Sequence, residues 1–247
     1  MIEIIKSGLY STIQDLGRFG HENYGVPISG SMDQFSSLLS NKLLGNNDKD
    51  AVMEITMVGP VLKFLEETKI CITGADLSPS INDTAININQ VYEINKGDLL
   101  KFGKLKYGLR SYLSVSGGFL SDKIMNSRSM HFSITKSNRI KNGERLNIKK
   151  SKEIKNIRTK INLNYLQHFK NNTIEVFKGP EFNKLTIKEK QILFKKKFTI
   201  SNNNDRMAYQ LNESFDNQLN PIITSLVMQG TVQLTPSRKI IILMRDC

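Results

Sequence analysis

The stretch AVMEITMVGPVLKFLEETKICITGAD, Ala51 to Asp76, decides the fold. Apolar and polar residues alternate along it, and Gly59-Pro60 breaks its first two runs apart. A period of two between turn residues marks half-buried strands. The same pattern continues downstream, so Ala51–Thr56, Val61–Phe64, Lys69–Thr73, Ser80–Ile86, Val91–Ile94, Leu99–Phe102 and Leu109–Val115 are predicted strands. Many short strands with little helix indicate a mainly β protein, a barrel or sandwich rather than a doubly wound sheet.

Upstream, Ile2 to Ile5 reads as a first strand that leads into Gly8–Asp33, GLYSTIQDLGRFGHENYGVPISGSMD. This segment follows neither period and holds five glycines and a proline, so ordering it is entropically expensive. A fixed Gln14, Asp15 and Arg18 beside flexible backbone suit ligand binding better than core filling. A helix is predicted over residues 32–44, with Ser31 as N-cap, Gln34 reaching back, Phe35, Leu38, Leu39 and Leu43 on one face, and Gly45 as the left-handed stop. Its free N–H groups and positive dipole end are expected to face whatever the loop binds.

Composition removes several function classes. The chain has 247 residues, enough for one large or two small domains, and carries a net charge of +12 with a pI near 9.6. The excess is spread along the sequence as lysine, in company with abundant Asn and Ile, and aromatic residues do not interleave with it; no nucleic-acid partner is expected. No apolar run is long enough for a membrane helix, and the start, Met-Ile-Glu-Ile-Ile-Lys, is unlike a signal peptide, so a cytoplasmic location without membrane is expected. Cys71 lies in an apolar strand and reads as a small buried hydrophobe, while Cys247 should be exposed. His21, His131 and His168 have no second ligand at metal spacing, so no metal site is assigned.

The second half repeats the plan weakly. Thr173–Pro180 echoes Val52–Pro60, and Thr199–Asp205 echoes Ile70–Asp76, which suggests two related lobes. Lys149–Lys160 reads as a solvated linker and Ile187–Phe194 as a second helix. Three Asp/Arg groupings at turns could carry chemistry: Asp15 with Arg18, Asp205 with Arg206, and Asp76 with Arg128. Arginine suits a carboxylate or phosphate, an aspartate beside a polarised amide suits a base, and N–H groups at Gly74–Ala75 or Gly117–Gly118 could receive an oxyanion. There is no P-loop and no nucleophile elbow.

A sequence of motifs then carries a resemblance. Thr12-x-Gln14-Asp15-x-Gly17-Arg18, Gly25-Val-Pro27-x-Ser29-Gly30-x-Met32-Asp33, Glu54-x-Thr56-x-x-Gly59-Pro60 and Thr73-Gly74-Ala75-Asp76 occur in order. They are followed by Ser111-Tyr112, Val115-x-Gly117-Gly118-Phe119, Ser127-Arg128-Ser129, Asp205-Arg206-Met207, Gly230-Thr-Val-Gln233 and Leu243-Met244. Together they resemble the family of 5-oxoprolinase C components and biotin-dependent carboxyltransferases, also called allophanate hydrolase subunit 2. The resemblance implies two cyclophilin-like β-barrel lobes, 1–120 with the Gly-rich loop and one helix, and 121–247 as a second, incomplete lobe. It implies a subunit of an ATP-dependent 5-oxoprolinase, with Mg accompanying ATP, that opens the lactam of 5-oxoproline to glutamate with an A subunit and a cyclophilin-like B subunit. The alternatives are a carboxyltransferase acting on urea or a similar amide with biotin carried by a partner, and a non-catalytic regulatory binder or inactive truncated copy. Catalytic candidates are Asp15, Asp76 and Asp205; substrate-binding candidates are Gln14, Arg18, Gly74, Ala75, Arg128, Arg206 and Gln233. The pattern departs at Ala208, where the family has Gly, and at Lys136-Ser137-Asn138, where it has a Gly-Gly pair. The family continues beyond Arg245-Asp246, so Lys239–Met244 is expected to be an edge strand lacking its neighbour.

Overall fold

The computed structural model describes residues 1–149 and 171–247, so most of the predicted linker lies outside the described residues. The chain divides into two compact units, Met1–Asn171 and Asn172–Cys247. The division falls later than 120/121 because Met130, Ile140, Leu146 and Ile148 are buried in the core of the first unit.

In the first unit the strands are β1 (Ile2–Lys6), β2 (Tyr10–Gln14), β3 (Val52–Thr56), β4 (Val61–Phe64), β5 (Thr68–Asp76) and β6 (Pro79–Ile81). They continue with β7 (Thr84–Ala85), β8 (Val91–Ile94), β9 (Leu99–Phe102), β10 (Tyr107–Val115) and β11 (Arg145–Leu146). Two antiparallel sheets result, in the orders β11-β1-β4-β9-β6-β7 and β2-β3-β10-β5-β8. The mainly β expectation holds, but both are open sheets and not closed barrels. One buried cluster takes Ile2 and Ile4 from β1, Leu62 and Phe64 from β4, Ile13 from β2, Met53 and Ile55 from β3, and Leu113 and Val115 from β10. The predicted strand Ser80–Ile86 is instead the hairpin β6–β7, because Asn82 and Asp83 both adopt positive φ (48° and 65°), the geometry of a two-residue hairpin turn.

The Gly-rich segment also contains a strand that its sequence did not announce. β2 pairs with β3 from Tyr10↔Thr56 to Gln14↔Val52. Its outer edge is covered: Met130 N–H donates to Ile13 O and Ile140 N–H to Ser11 O. Helix α1 (Gln34–Leu44) packs on the face of β5 and β10 opposite the main core, with Leu43 and Leu44 against Cys71 and Ser114 Oγ donating to Ser40 O at 2.9 Å.

The second unit has α2 (Ile187–Lys195), as predicted, with a capping box between Thr186 and Glu189. Hydrogen bonds from the backbone N–H and hydroxyl of Thr186 lower the pKa of Glu189. Strands β12 (Ile200–Asn204), β13 (Ala208–Ser214), β14 (Val232–Leu234) and β15 (Lys239–Leu243) form one antiparallel sheet, ordered β12-β13-β15-β14. Leu185, Leu211, Phe215 and Ile240 make its core. β12 fulfils the second of the two internal echoes, whereas Thr173–Pro180 forms no strand. β15 is not an edge either: it lies between β13 and β14, since the turn at Thr235–Arg238 folds β14 back onto it.

Candidate functional site

Alternation on β3 sends Met53 and Ile55 into the core, which places Glu54 on the face beneath α1. Register then builds a row across four strands, Thr12↔Glu54, Glu54↔Tyr112 and Tyr112↔Thr73. This polar row meets the start of α1. Tyr112 OH donates to Glu54 Oε2 at 3.0 Å and accepts from Asp33 N–H at 2.7 Å. Met32 N–H donates to Glu54 Oε2 at 2.7 Å, Thr73 Oγ1 to Ser36 O at 2.6 Å, and Arg110 Nε lies 3.7 Å from Glu54 Oε1. Burial first, and the Glu54 carboxylate second, push the Tyr112 phenol well above its ordinary range, so it remains a protonated donor.

The N-cap is Asp33, not Ser31: its side chain accepts from Ser36 N–H at 3.0 Å and from Ser36 Oγ. Ser31 is buried and donates its N–H to Asp15 O. The N–H groups expected to face a ligand are therefore engaged at Met32, Asp33 and Ser36.

A second cluster locks the Gly-rich loop to the segment 127–130. Asp15 Oδ1 accepts from Ser127 Oγ and Ser129 Oγ, each at 2.6 Å, and from Gly17 N–H at 2.9 Å; Oδ2 accepts from Arg128 N–H at 2.6 Å. Arg18 is fully buried and donates from Nη2 to Ser129 O at 2.5 Å. Gln14 joins the two clusters, since Nε2 donates to Thr12 Oγ1 at 3.0 Å and to Met130 O at 3.1 Å. Among the described residues its Oε1 is buried without a hydrogen-bond partner.

The structure thus gathers Gln14, Asp15, Arg18 and Arg128. It does not pair Asp76 with Arg128. The Arg128 side chain turns to Ser121 O, while Asp76 accepts from Ser78 N–H at 2.8 Å and meets Lys106 Nζ at 3.2 Å. Gly74 lies on β5 with φ +83°, and an added Cβ would stand 2.6 Å from Arg110 O, so glycine is required there. Ala75 is buried beside it. Gly117 and Gly118 are not oxyanion donors, because their N–H groups bond Asn46 Oδ1 and Val115 O.

In the second unit Asp205 is exposed and accepts from the N–H groups of Met207 at 2.7 Å and Ala208 at 3.1 Å. Arg206 does not pair with it; it is buried in a two-pronged bond with Asp246, Nε–Oδ2 3.0 Å and Nη2–Oδ1 3.1 Å. Gln233 lies in β14 opposite Ile241. The site residues that sequence reasoning passed over are Glu54, Arg110 and Tyr112. The signal available was a lone carboxylate between Met53 and Ile55, on a strand face that the Leu39–Leu43 stripe of α1 must cover.

Fold and site together define an antiparallel β-scaffold domain that concentrates buried polar chemistry under one helix and one glycine-rich loop. Its overall fold matches the crystal structures of the K. lactis urea amidolyase and the Kluyveromyces lactis urea carboxylase. Each superposes with a TM-score of 0.83 at 25% identity over 99% of this chain, and this chain covers 16% and 24% of those chains. The family model of the carboxyltransferase domain, subdomains A and B, matches residues 24–247, and the chain belongs to that family. It is 27% identical to the C component of the 5-oxoprolinase of Haemophilus influenzae over its full length, covering 80% of that protein. It is 41% identical over 128 residues to urea amidolyase of Lachancea kluyveri, of which that region is 7%. Among the described residues no helix is long and apolar enough to cross a membrane.

Proposed function

We propose that the chain is a subunit of an ATP-dependent 5-oxoprolinase that opens the lactam of 5-oxoproline to glutamate together with A and B partner subunits. The observation that carries this reading is the match along the whole chain to the 5-oxoprolinase C component. The chemistry of the site agrees with an amide rather than a phosphate ligand. A triphosphate would need free N–H groups at the start of α1, and those of Met32, Asp33 and Ser36 already bond Glu54, the Tyr112 hydroxyl and Asp33. ATP and its Mg are accordingly assigned to a partner subunit.

Within the first unit, Asp15 holds its loop through four donors, so we assign it a positioning role beside Arg18 and Gln14. Asp76, at the end of β5 beside Lys106, is the carboxylate we assign to the substrate amide; Arg128, whose guanidinium goes to Ser121 O and whose N–H goes to Asp15, is not part of that pair. In the second unit Asp205 and Gln233 are kept as substrate-binding proposals, while Arg206 is taken up by Asp246.

The test is glutamate release from 5-oxoproline in a mixture of purified A, B and this chain, beside a mixture lacking it. Release only in the complete mixture, lost in Asp76→Asn with the assembly intact, supports the reading. A stable assembly that releases no glutamate refutes it. The closer local identity to urea amidolyase favours a second reading, a carboxyltransferase acting on urea with biotin on a partner chain. Avidin inhibition of any amide-dependent activity separates the two.

A further inference from the structure

Two polar rows cross the α1 face of the first unit, and only one of them is sealed. The row Thr12, Glu54, Tyr112 and Thr73 is buried beneath the start of α1. Two residues further along the strands, Tyr10↔Thr56 and Thr56↔Arg110 set a second row on the same face, and all three of its members are half-buried. Asp76 joins that row from β5, because Ala75 lies in the main core and alternation turns its successor to the other face. A bulge in β10 between Tyr107 and Ser111 presses the two strands together there. A Cβ added at Gly108 would stand 2.8 Å from Ala75 Cβ, and one added at Gly74 would stand 2.6 Å from Arg110 O. The side chains of Arg110 and Asp76 are 15% and 16% exposed, against 1% for Glu54, so a small molecule can touch both while little water competes.

We infer that Arg110 receives the carboxylate of a small lactam acid whose ring N–H is held by Asp76. The inference rests on the amide reading of the site given above and adds the group that selects the substrate. In 5-oxoproline the amide nitrogen and the carboxylate sit on one carbon, so their receptors must be neighbours. Arg110 and Asp76 meet that demand from adjacent strands, which run about 4.8 Å apart in a sheet. The guanidinium offers a planar fork of donors to a carboxylate, and Glu54 holds it from the buried side, with Oε1 3.7 Å from Nε. Asp76 keeps Ser78 N–H and Lys106 Nζ as partners, and a carboxylate with about four lone-pair sites accepts a further N–H. Urea has no carboxylate, so the same arginine separates the two readings of the reaction.

The test is calorimetric binding of 5-oxoproline and of 2-pyrrolidinone, the same lactam without the carboxylate, to this chain assembled with its A and B partners and without ATP. The wild type should bind 5-oxoproline at least tenfold more tightly than 2-pyrrolidinone. Arg110→Gln should bind the two alike, and Asp76→Asn should weaken both. Arg110→Lys keeps a positive charge beside Glu54 and is the second variant should the Gln form fail to fold; it loses the fork, so its preference should fall at least threefold. The inference is overturned if the wild type binds neither lactam, if it binds both equally, or if the Arg110 variants keep the full preference. Glutamate release with ATP, read in the same mixtures, tests the reaction separately. A preference that disappears with Arg110 in an assembly releasing no glutamate sustains the inference and refutes the reaction, and glutamate release with an unaltered preference in the variants does the reverse.

Discussion

β2 and β12 are each followed by an aspartate and then a buried arginine, and the two ends differ in what the aspartate does. After β2 both members are buried: Asp15 gathers four donors, while Arg18, the more deeply buried, reaches past it to Ser129 O. After β12, Asp205 is exposed and closes a turn, while Arg206 is the buried member and meets Asp246, forty positions away. Neighbouring opposite charges thus select separate partners. Side chains so close in sequence leave a tight turn in different directions, and each seeks whichever group the tertiary fold brings close. The consequence for function is that Asp15 and Arg206 hold structure, whereas Asp205 keeps exposure.

The largest test of this contrast is Asp15→Ala. It strands two serine hydroxyls and the N–H groups of Gly17 and Arg128 in a buried place, at roughly 1–3 kcal/mol for each donor that water cannot reach. A loss of about 4 kcal/mol or more is expected, read as a lowered urea midpoint of the first unit. An unchanged midpoint would mean that the hub is not what ties the Gly-rich loop to residues 127–130. Next comes Asp246→Ala, which leaves the Arg206 guanidinium buried without its carboxylate and should cost about 3–5 kcal/mol. Faster hydrogen exchange at β13 and β15 would register it, and substitution of Asp205 should leave those amides slow.

Tyr112→Phe is a smaller break, in the row under α1. It removes one donor to Glu54 and one acceptor from Asp33 N–H, so about 1–2 kcal/mol is expected. It also carries a pH signature. The folded phenol titrates well above the ordinary 10.0, so its contribution is complete below pH 10 and declines as pH rises from there toward the folded value. Wild-type stability should fall in that alkaline window, and the Phe variant should lose that part of the slope. Burial likewise raises the Cys71 thiol to about 12, so iodoacetamide at neutral pH should modify Cys247 and spare Cys71 until the chain unfolds.

How much of this was legible in the sequence follows from which forces act locally. Most strands of the first unit, α1 and α2 were readable because burial on one face writes a period into the chain. The Asn82–Asp83 turn could have been read more closely, since both residues tolerate positive φ. β2 was hidden because Tyr10–Gln14 is polar on a face that is nevertheless buried: Thr12 and Gln14 join the row under α1 instead of meeting solvent. Glu54 and Tyr112 were hidden for the same reason. Their partners are set by register across β3 and β10, a long-range property that no local window contains. The placement of β15 inside its sheet failed for the converse reason, because an apolar strand with no visible successor looks like an edge until β14 folds back onto it.

Asp205→Ala is the smallest expected perturbation and the most informative about function. Its carboxylate is exposed and accepts two backbone N–H groups, as a cap does, so about 1 kcal/mol is the scale of its removal. Asp205→Asn keeps an acceptor for those groups and should cost less still. If glutamate release falls by a hundredfold or more in both variants while their melting temperatures stay close to wild type, Asp205 acts on substrate and its exposure is functional. If activity follows the small stability change instead, Asp205 is only a turn former. The contrast between the two Asp/Arg ends would then be one of architecture alone, with the chemistry left to the first unit.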